Sequence, residues 1–459
     1  MIQMRSWMTG LSIESTLELW ASSLRNVKAR MRPLFTQDRV AGCAGNFLDG
    51  LLGDERRKTG WMRAEAAGDS GPWRQQAILG RGCWDADALR DIVRDYALET
   101  LADPDAVLVI DETGFLKQGH GSCAVARQYT GSAGKITNCQ IGVFASYVSR
   151  HGHAFIDRAL YLPKAWADDP TRRDKAHVPE AVKFATKPAL ACAMIQRALA
   201  ANVPFSWVAT YSLYGVGDLE MALRRAGKGY VLGVSSNHGF NSWGKPYAVS
   251  GTAKEIAAGL PEDAWKRLAS GAGTKGARLH DWAYFDLADL DAGDFGSDLP
   301  GTWTRGLLIR RNIADGDTAY FTTWCPQGTS IETLTRIEGH RCGNRGQLRN
   351  RQERIGARPQ RNQVVAWRAP SCLAGHARLR HDRSDSRSCK RHSTPKNTTT
   401  DQSDPIPALI RWSIQEIRRI ANKMAQRQIQ PAEIIAWSVW RRAHQAVARE
   451  CHVKSRMQL

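Results

Sequence analysis

Nowhere in the 459 residues is there a run of ~18 apolar residues, so no helical membrane span is expected. Met1 to Trp20 lacks the basic flank, apolar stretch and small-residue cleavage site of an export signal, which points to the cytoplasm. The ten cysteines are scattered from Cys43 to Cys451 and none forms a CxxC pair. That spacing argues against a zinc ribbon or a thioredoxin-like site and fits a reducing compartment. There is no internal repeat to suggest a solenoid. What the chain has in excess is positive charge, +19 formally with a pI near 9.7, and such a balance favours a polyanionic partner, nucleic acid first.

The first hundred residues read as helical. Leu17 to Met31 is amphipathic and carries Arg25, Lys28 and Arg30, and Arg56, Arg57 and Lys58 form a second basic cluster. Trp84 to Leu101 reads as a helix with acidic residues in its first turn, where the helix dipole favours them. Ala106 to Ile110 (AVLVI) is short, apolar and β-branched, a buried strand ending at Asp111. Further strands are expected at Gln140–Val148, His153–Tyr161, Phe205–Thr210 and Tyr230–Ser235, with helices at Lys187–Ala201 and Asp218–Ala226. A three-strand meander followed by alternating helices and strands is the RNase H-like order. The expected fold class is therefore α/β. It has an RNase H-like mixed sheet core, a helical N-terminal domain, a β-rich insertion at about 252–325 and a helical C-terminal tail.

The segment from Arg341 to Lys390 differs in kind. It holds 12 Arg and 1 Lys against 2 Asp and 1 Glu, which is +10 of the chain's +19, and it shows neither helical nor strand periodicity. A polar linker, Thr394 to Asp404, follows it. Ser413 and Glu416 then make a capping box, and Pro431 opens a last helix. Trp437, Trp440 and His444 share one face of that helix, which also bears Arg441 and Arg442. The expected division is 1–103 (helical, DNA-binding), 104–341 (catalytic core with its insertion), 342–392 (aberrant Arg-rich segment), 393–404 (linker) and 405–459 (helical). Candidate DNA-binding residues are Arg56, Arg57, Lys58, Arg441 and Arg442.

Phosphodiester transfer at neutral pH is commonly run by two magnesium ions ~3.5–4 Å apart, which need several carboxylates brought together. Asp111 directly follows its strand in the string VIDETGFLKQG and is the first candidate. Gly131-Ser132-Ala133-Gly134-Lys135 resembles a phosphate loop but lacks its full spacing and a following helix.

The string around Asp111 resembles that of the insertion-sequence DDE transposases, in particular the group numbered seven hundred and one, related to the group numbered four. Leu48–Asp69, Arg158–Arg173, Thr329–Arg341 and Ile434–Ala448 are similar to other parts of that family. The resemblance implies a metal-dependent transposase that binds the ends of its element and cuts there. The freed 3′-hydroxyl is then joined to target double-stranded DNA. It implies two Mg2+ ions and an oligomer on DNA beside the nucleoid. Asp111 takes the place of the family's first carboxylate. The second should stand before a Ser-x-Tyr-Gly string, and there the chain reads WVATYSLYG, with Tyr211 in its place. Asp218, seven residues on, better fits an N-cap. The third, a Glu shortly after Arg341 with a Lys seven residues later, is lost near Arg345, and Glu353 lies in the wrong context. Codons suitable for Cys342 to Val365, read one nucleotide later, can spell a segment with that Glu and Lys, so a frame shift accounts for the Arg-rich stretch. The alternative is a genuine Arg-rich DNA-binding insert. The expectation is a transposase by descent whose present copy is inactive, or a DNA-binding remnant competing for element ends.

Overall fold

The computed structural model describes residues 13–53, 58–80, 82–211, 214–215, 217–242, 249–273, 276–296, 301–341 and 430–457. They fall into two compact units that part between Asp85 and Ala86. The Arg-rich stretch, the linker and the capping-box helix expected from Ser413 lie outside the described residues. No helix among the described residues is long and apolar enough to cross a membrane.

The first unit is helical: α1 (Ile13–Met31), α2 (Asp38–Leu52), α3 (Gly60–Ala67) and α4 (Trp73–Gly80). Buried residues of α2 recur at Ala44, Phe47, Leu48 and Leu51, the spacing of one helical face. Thr59 caps α3 by accepting from the Met62 amide, and Gly68 ends it with φ 70°, a left-handed conformation that suits glycine. The C-terminal helix Pro431–Met457 belongs to this unit. Its Trp440 and His444 rings each lie 5.1 Å from Trp61.

The second unit is built on a 10-stranded mixed sheet. It opens with α5 (Ala86–Leu101), a helix that the sequence alone groups with the N-terminal region. Ala97 and Leu101 of α5 enter the same core as Leu108 and Ile110 of the first strand, and Arg158 donates to Asp87 Oδ1 (2.8 Å) and the Ala86 carbonyl (2.7 Å). The boundary expected at 103 therefore lies at 85, because the apolar face of this helix is completed by the sheet.

Strands β1 (Val107–Leu116), β2 (Ala126–Thr130), β3 (Lys135–Ser149) and β4 (Gly152–Leu160) are antiparallel neighbours through β3, which pairs with β1 on one edge and with β2 and β4 on the other. Helix α6 (Lys164–Ala167), α7 (Pro170–Lys175) and α8 (Lys187–Ala200) lead to β5 (Trp207–Thr210), and α9 (Gly217–Arg225) leads to β6 (Gly229–Val234). Strand β5 is parallel to both β1 and β6. The spatial order β4-β3-β1-β5-β6 with these directions is the RNase H-like arrangement.

A small hairpin, β7 (Gly239–Ser242) with β8 (Val249–Thr252), and α10 (Ala253–Ala258) come next. The β-rich stretch expected as an insertion follows as β9 (Lys266–Gly273), β10 (Gly276–Asp291), β11 (Thr302–Arg311) and β12 (Thr318–Pro326). It extends the main sheet, with β12 running antiparallel to β6. A final helix over 331–341, α11, lies on the sheet. Its Leu334 and Ile337 pack with Val107, Val109, Ala209 and Phe321, while Leu108 and Ile110 face Ala191 and Met194 of α8 on the opposite side. The alternation of β1 residues between these two cores is the period-two pattern of a strand buried on both faces.

Candidate active site

Asp111 lies inside β1 rather than after it, because pairing with β3 continues to Leu116. Its side chain is 5% exposed, and Oδ1 accepts from the Glu112 amide at 2.8 Å. The parallel register between β1 and β5 ends at Ile110 opposite Thr210. Asp111 and Tyr211 each follow that last pair by one residue, Asp111 still within β1 and Tyr211 just past the end of β5.

Tyr211 is directed at the end of α11. Its hydroxyl donates to the Arg341 carbonyl at 3.2 Å, and the Arg341 guanidinium sits 4.1 Å from its ring centroid. The same guanidinium lies 4.8 Å from the Phe321 ring and 3.5 Å from Glu338 Oε1. Glu338 is fully buried and also accepts from Arg310 Nη1 at 2.7 Å. Thus the residue after β5 meets the end of α11, and what is brought together there is a phenol and a guanidinium paired with a buried glutamate.

Glu112 does not supply the missing charge. It alternates to the other face of the sheet, where Lys187 Nζ binds Oε1 at 2.8 Å and the Tyr214 hydroxyl donates to Oε2 at 3.2 Å. Burial, and then the negative charge of Glu112, push the Tyr214 phenol far above its ordinary range, so it stays protonated as a donor. Asp218 is exposed in the first turn of α9, which begins at Gly217, and so occupies a helical position rather than the expected N-cap. The position near Arg345 lies outside the described residues, as does Glu353. Among the described residues no group of three His, Cys, Asp or Glu side chains is placed to hold a metal ion. Magnesium takes anionic oxygens, and a phenol with an unperturbed pKa of ~10 is neutral at pH 7. The residues present at Asp111 and Tyr211 therefore do not fit a two-metal centre.

The candidate DNA-binding residues divide. Arg56 and Arg57 lie outside the described residues. Lys58 is buried and its ammonium donates to the Gly53 carbonyl just past the end of α2. Arg441 is tied to Glu65 Oε2 at 2.9 Å within the helical unit, whereas Arg442 is exposed. Glu338 is absent from the candidates that the sequence suggests. The apolar period of Ile331, Leu334 and Ile337 is the available signal, since it places Glu338 beside the face that α11 buries.

The 131–135 string is the turn of the β2–β3 hairpin, with no helix after it, so it is not a phosphate loop. The hairpin rests on β1: the Ser132 hydroxyl donates to the Gly114 carbonyl at 3.0 Å. A Cβ on Gly114 would overlap the Thr130 hydroxyl and Cβ, so this close approach needs glycine. Gly114→Ala is expected to lift the hairpin, costing about 1–3 kcal/mol. Hydrogen exchange checks it: amides over 126–139 lose protection if this is right and keep it if it is wrong.

A mixed sheet of RNase H-like order with a buried aspartate on its first strand is an arrangement found among polynucleotidyl transferases and nucleases. The chain belongs to the DDE superfamily endonucleases, whose family pattern it matches over residues 30–282. It is also 28% identical over 192 residues to a probable transposase for insertion sequence element IS701 from Microchaete diplosiphon, a match covering 41% of this chain and 47% of that protein. The chain thus spans about half the length of that curated relative. Both likenesses agree with the resemblance drawn from the strings around Asp111. Enzymes of this superfamily use divalent metal ions, which makes the poor ligand set at Tyr211 the feature to explain.

Proposed function

We propose that this chain is a DDE transposase by descent that retains DNA binding and has lost metal-dependent cleavage and strand transfer. It occupies insertion-sequence ends, as an oligomer on double-stranded DNA beside the cytoplasmic nucleoid, and competes there with active relatives. Asp111 is the remaining member of the ancestral Mg2+ ligand set, Tyr211 stands where the second was, and the third was lost near Arg345 by a frame shift over 342–392. Arg56, Arg57 and Arg442 contribute to DNA binding in the helical regions. Lys58 and Arg441 act structurally.

The observation that carries this reading is Tyr211, one residue past the Ile110–Thr210 pair that Asp111 also follows, with its hydroxyl donating to the Arg341 carbonyl. A neutral phenol held in this way supplies no anionic oxygen, which is what a hard cation takes. The test is a mobility-shift titration with the gene's own flanking ends at moderate salt, run with Mg2+ and resolved afterwards on a denaturing gel. Retarded but uncut ends are expected, and cut ends would refute the reading. The nucleotide sequence over codons 340–392 tests the frame shift separately: one shifted frame should restore a periodic helix bearing a Glu.

A further inference from the structure

The β2–β3 hairpin carries a surface that the proposed site does not use. Tyr129 and Ile136 are cross-strand partners, and each is 61% exposed. Arg127, two residues before Tyr129, shares that face and is exposed. Lys135 flanks it at the turn and is exposed as well. Among the described residues neither cation makes an ion pair. From Thr113 to Ile156 the chain has no Asp or Glu, so the whole hairpin and both its roots lack negative charge. A solvent-facing Tyr–Ile pair on an edge strand is an aggregation liability unless something covers it. Cations without local acids make that covering partner a polyanion.

The hairpin is also placed for this role. Ser132 in its turn is bonded to Gly114, three residues beyond Asp111 along β1, which is ~10 Å at the rise of a strand. A two-stranded ribbon fits the major groove of duplex DNA. We infer that the β2–β3 hairpin is a DNA-contacting ribbon beside Asp111, with Arg127 and Lys135 on phosphates and Tyr129 and Ile136 against sugars and base edges. This rests on the DNA-binding reading above and names a surface for it.

The test uses the full chain and a fluorescein-labelled random-sequence duplex, with anisotropy measured over a range of KCl concentrations. Arg127→Ala combined with Lys135→Ala should weaken binding about tenfold at low salt and reduce the slope of log Kd against log[KCl] by about 2, since each cation neutralises one phosphate. Tyr129→Ala should weaken it about fivefold by removing the ring from the DNA surface, and Tyr129→Phe should stay within about twofold. The three substituted side chains are on the surface, and circular dichroism of each variant verifies that it is folded. If the unaltered chain binds and the variants keep its affinity and slope, the hairpin assignment is overturned and the DNA-binding reading stands. If the unaltered chain does not bind the duplex, both fall.

Discussion

Replacing Glu338 with alanine is expected to destabilise the sheet unit by about 3–5 kcal/mol, the cost of leaving buried cations without their counter-charge. The carboxylate is fully buried and meets Arg310 at 2.7 Å and Arg341 at 3.5 Å, and Arg341 in turn is buried between the Tyr211 and Phe321 rings. Its removal deprives two guanidiniums on β11 and α11 of their shared acceptor. Because Tyr211 is bonded to the Arg341 carbonyl, the end of β5 should loosen with α11. Glu338→Gln keeps the shape and one acceptor oxygen and should cost less. Hydrogen exchange of the β1, β5 and β12 amides reads this in the full chain, since it reports the sheet unit apart from the helical one. A loss below about 1 kcal/mol would show that the pair is dispensable to the core.

The second large effect is a gain. A repaired chain, with Tyr211→Asp and the frame-restored segment in place of 342–390, should acquire Mg2+-dependent DNA cleavage at least about 10^3-fold above the unrepaired chain, a modest part of the ~10^6 and more that enzymes supply. Either repair alone should fall short. Tyr211→Asp by itself sets a carboxylate near the Arg341 guanidinium, now 4.1 Å from the ring it replaces, and an ion pair competes with a metal for its oxygens. The restored segment by itself leaves a phenol at the second position. Full activity from the single substitution would place the third ligand elsewhere in the chain.

The heart of the fold is legible in the sequence because its strands are buried on both faces. Runs such as AVLVI have no amphipathic ambiguity, and the parallel pairing of 107–110 with 207–210 follows from the strand order they imply. The strings around Asp111 and Tyr211 likewise set each residue directly after an apolar run, and those runs are the paired segments 107–110 and 207–210. The sheet's extension by β9–β12 is not legible. Antiparallel neighbours of an edge strand carry no local mark of which sheet they join. Nor can the sequence show that β1 runs on through Asp111, since that depends on the long partner β3 and on Gly114 admitting the hairpin. Lys58 reads as part of a basic cluster, but its burial against the Gly53 carbonyl is a tertiary fact. The boundary at Asp85 is hidden for a similar reason: the apolar face of α5 is the same whichever unit completes it.

The central claim is that Asp111 marks ancestry without supporting catalysis. It is tested most directly by incubating the unaltered full chain with its own precut element ends, plasmid target and Mg2+, then scoring joined products. No joined product is expected, and none should appear with Asp111→Ala either. Joining that depends on Mg2+ and disappears in Asp111→Ala would contradict the account, because it would mean that a working metal site forms around Asp111 with Tyr211 in place.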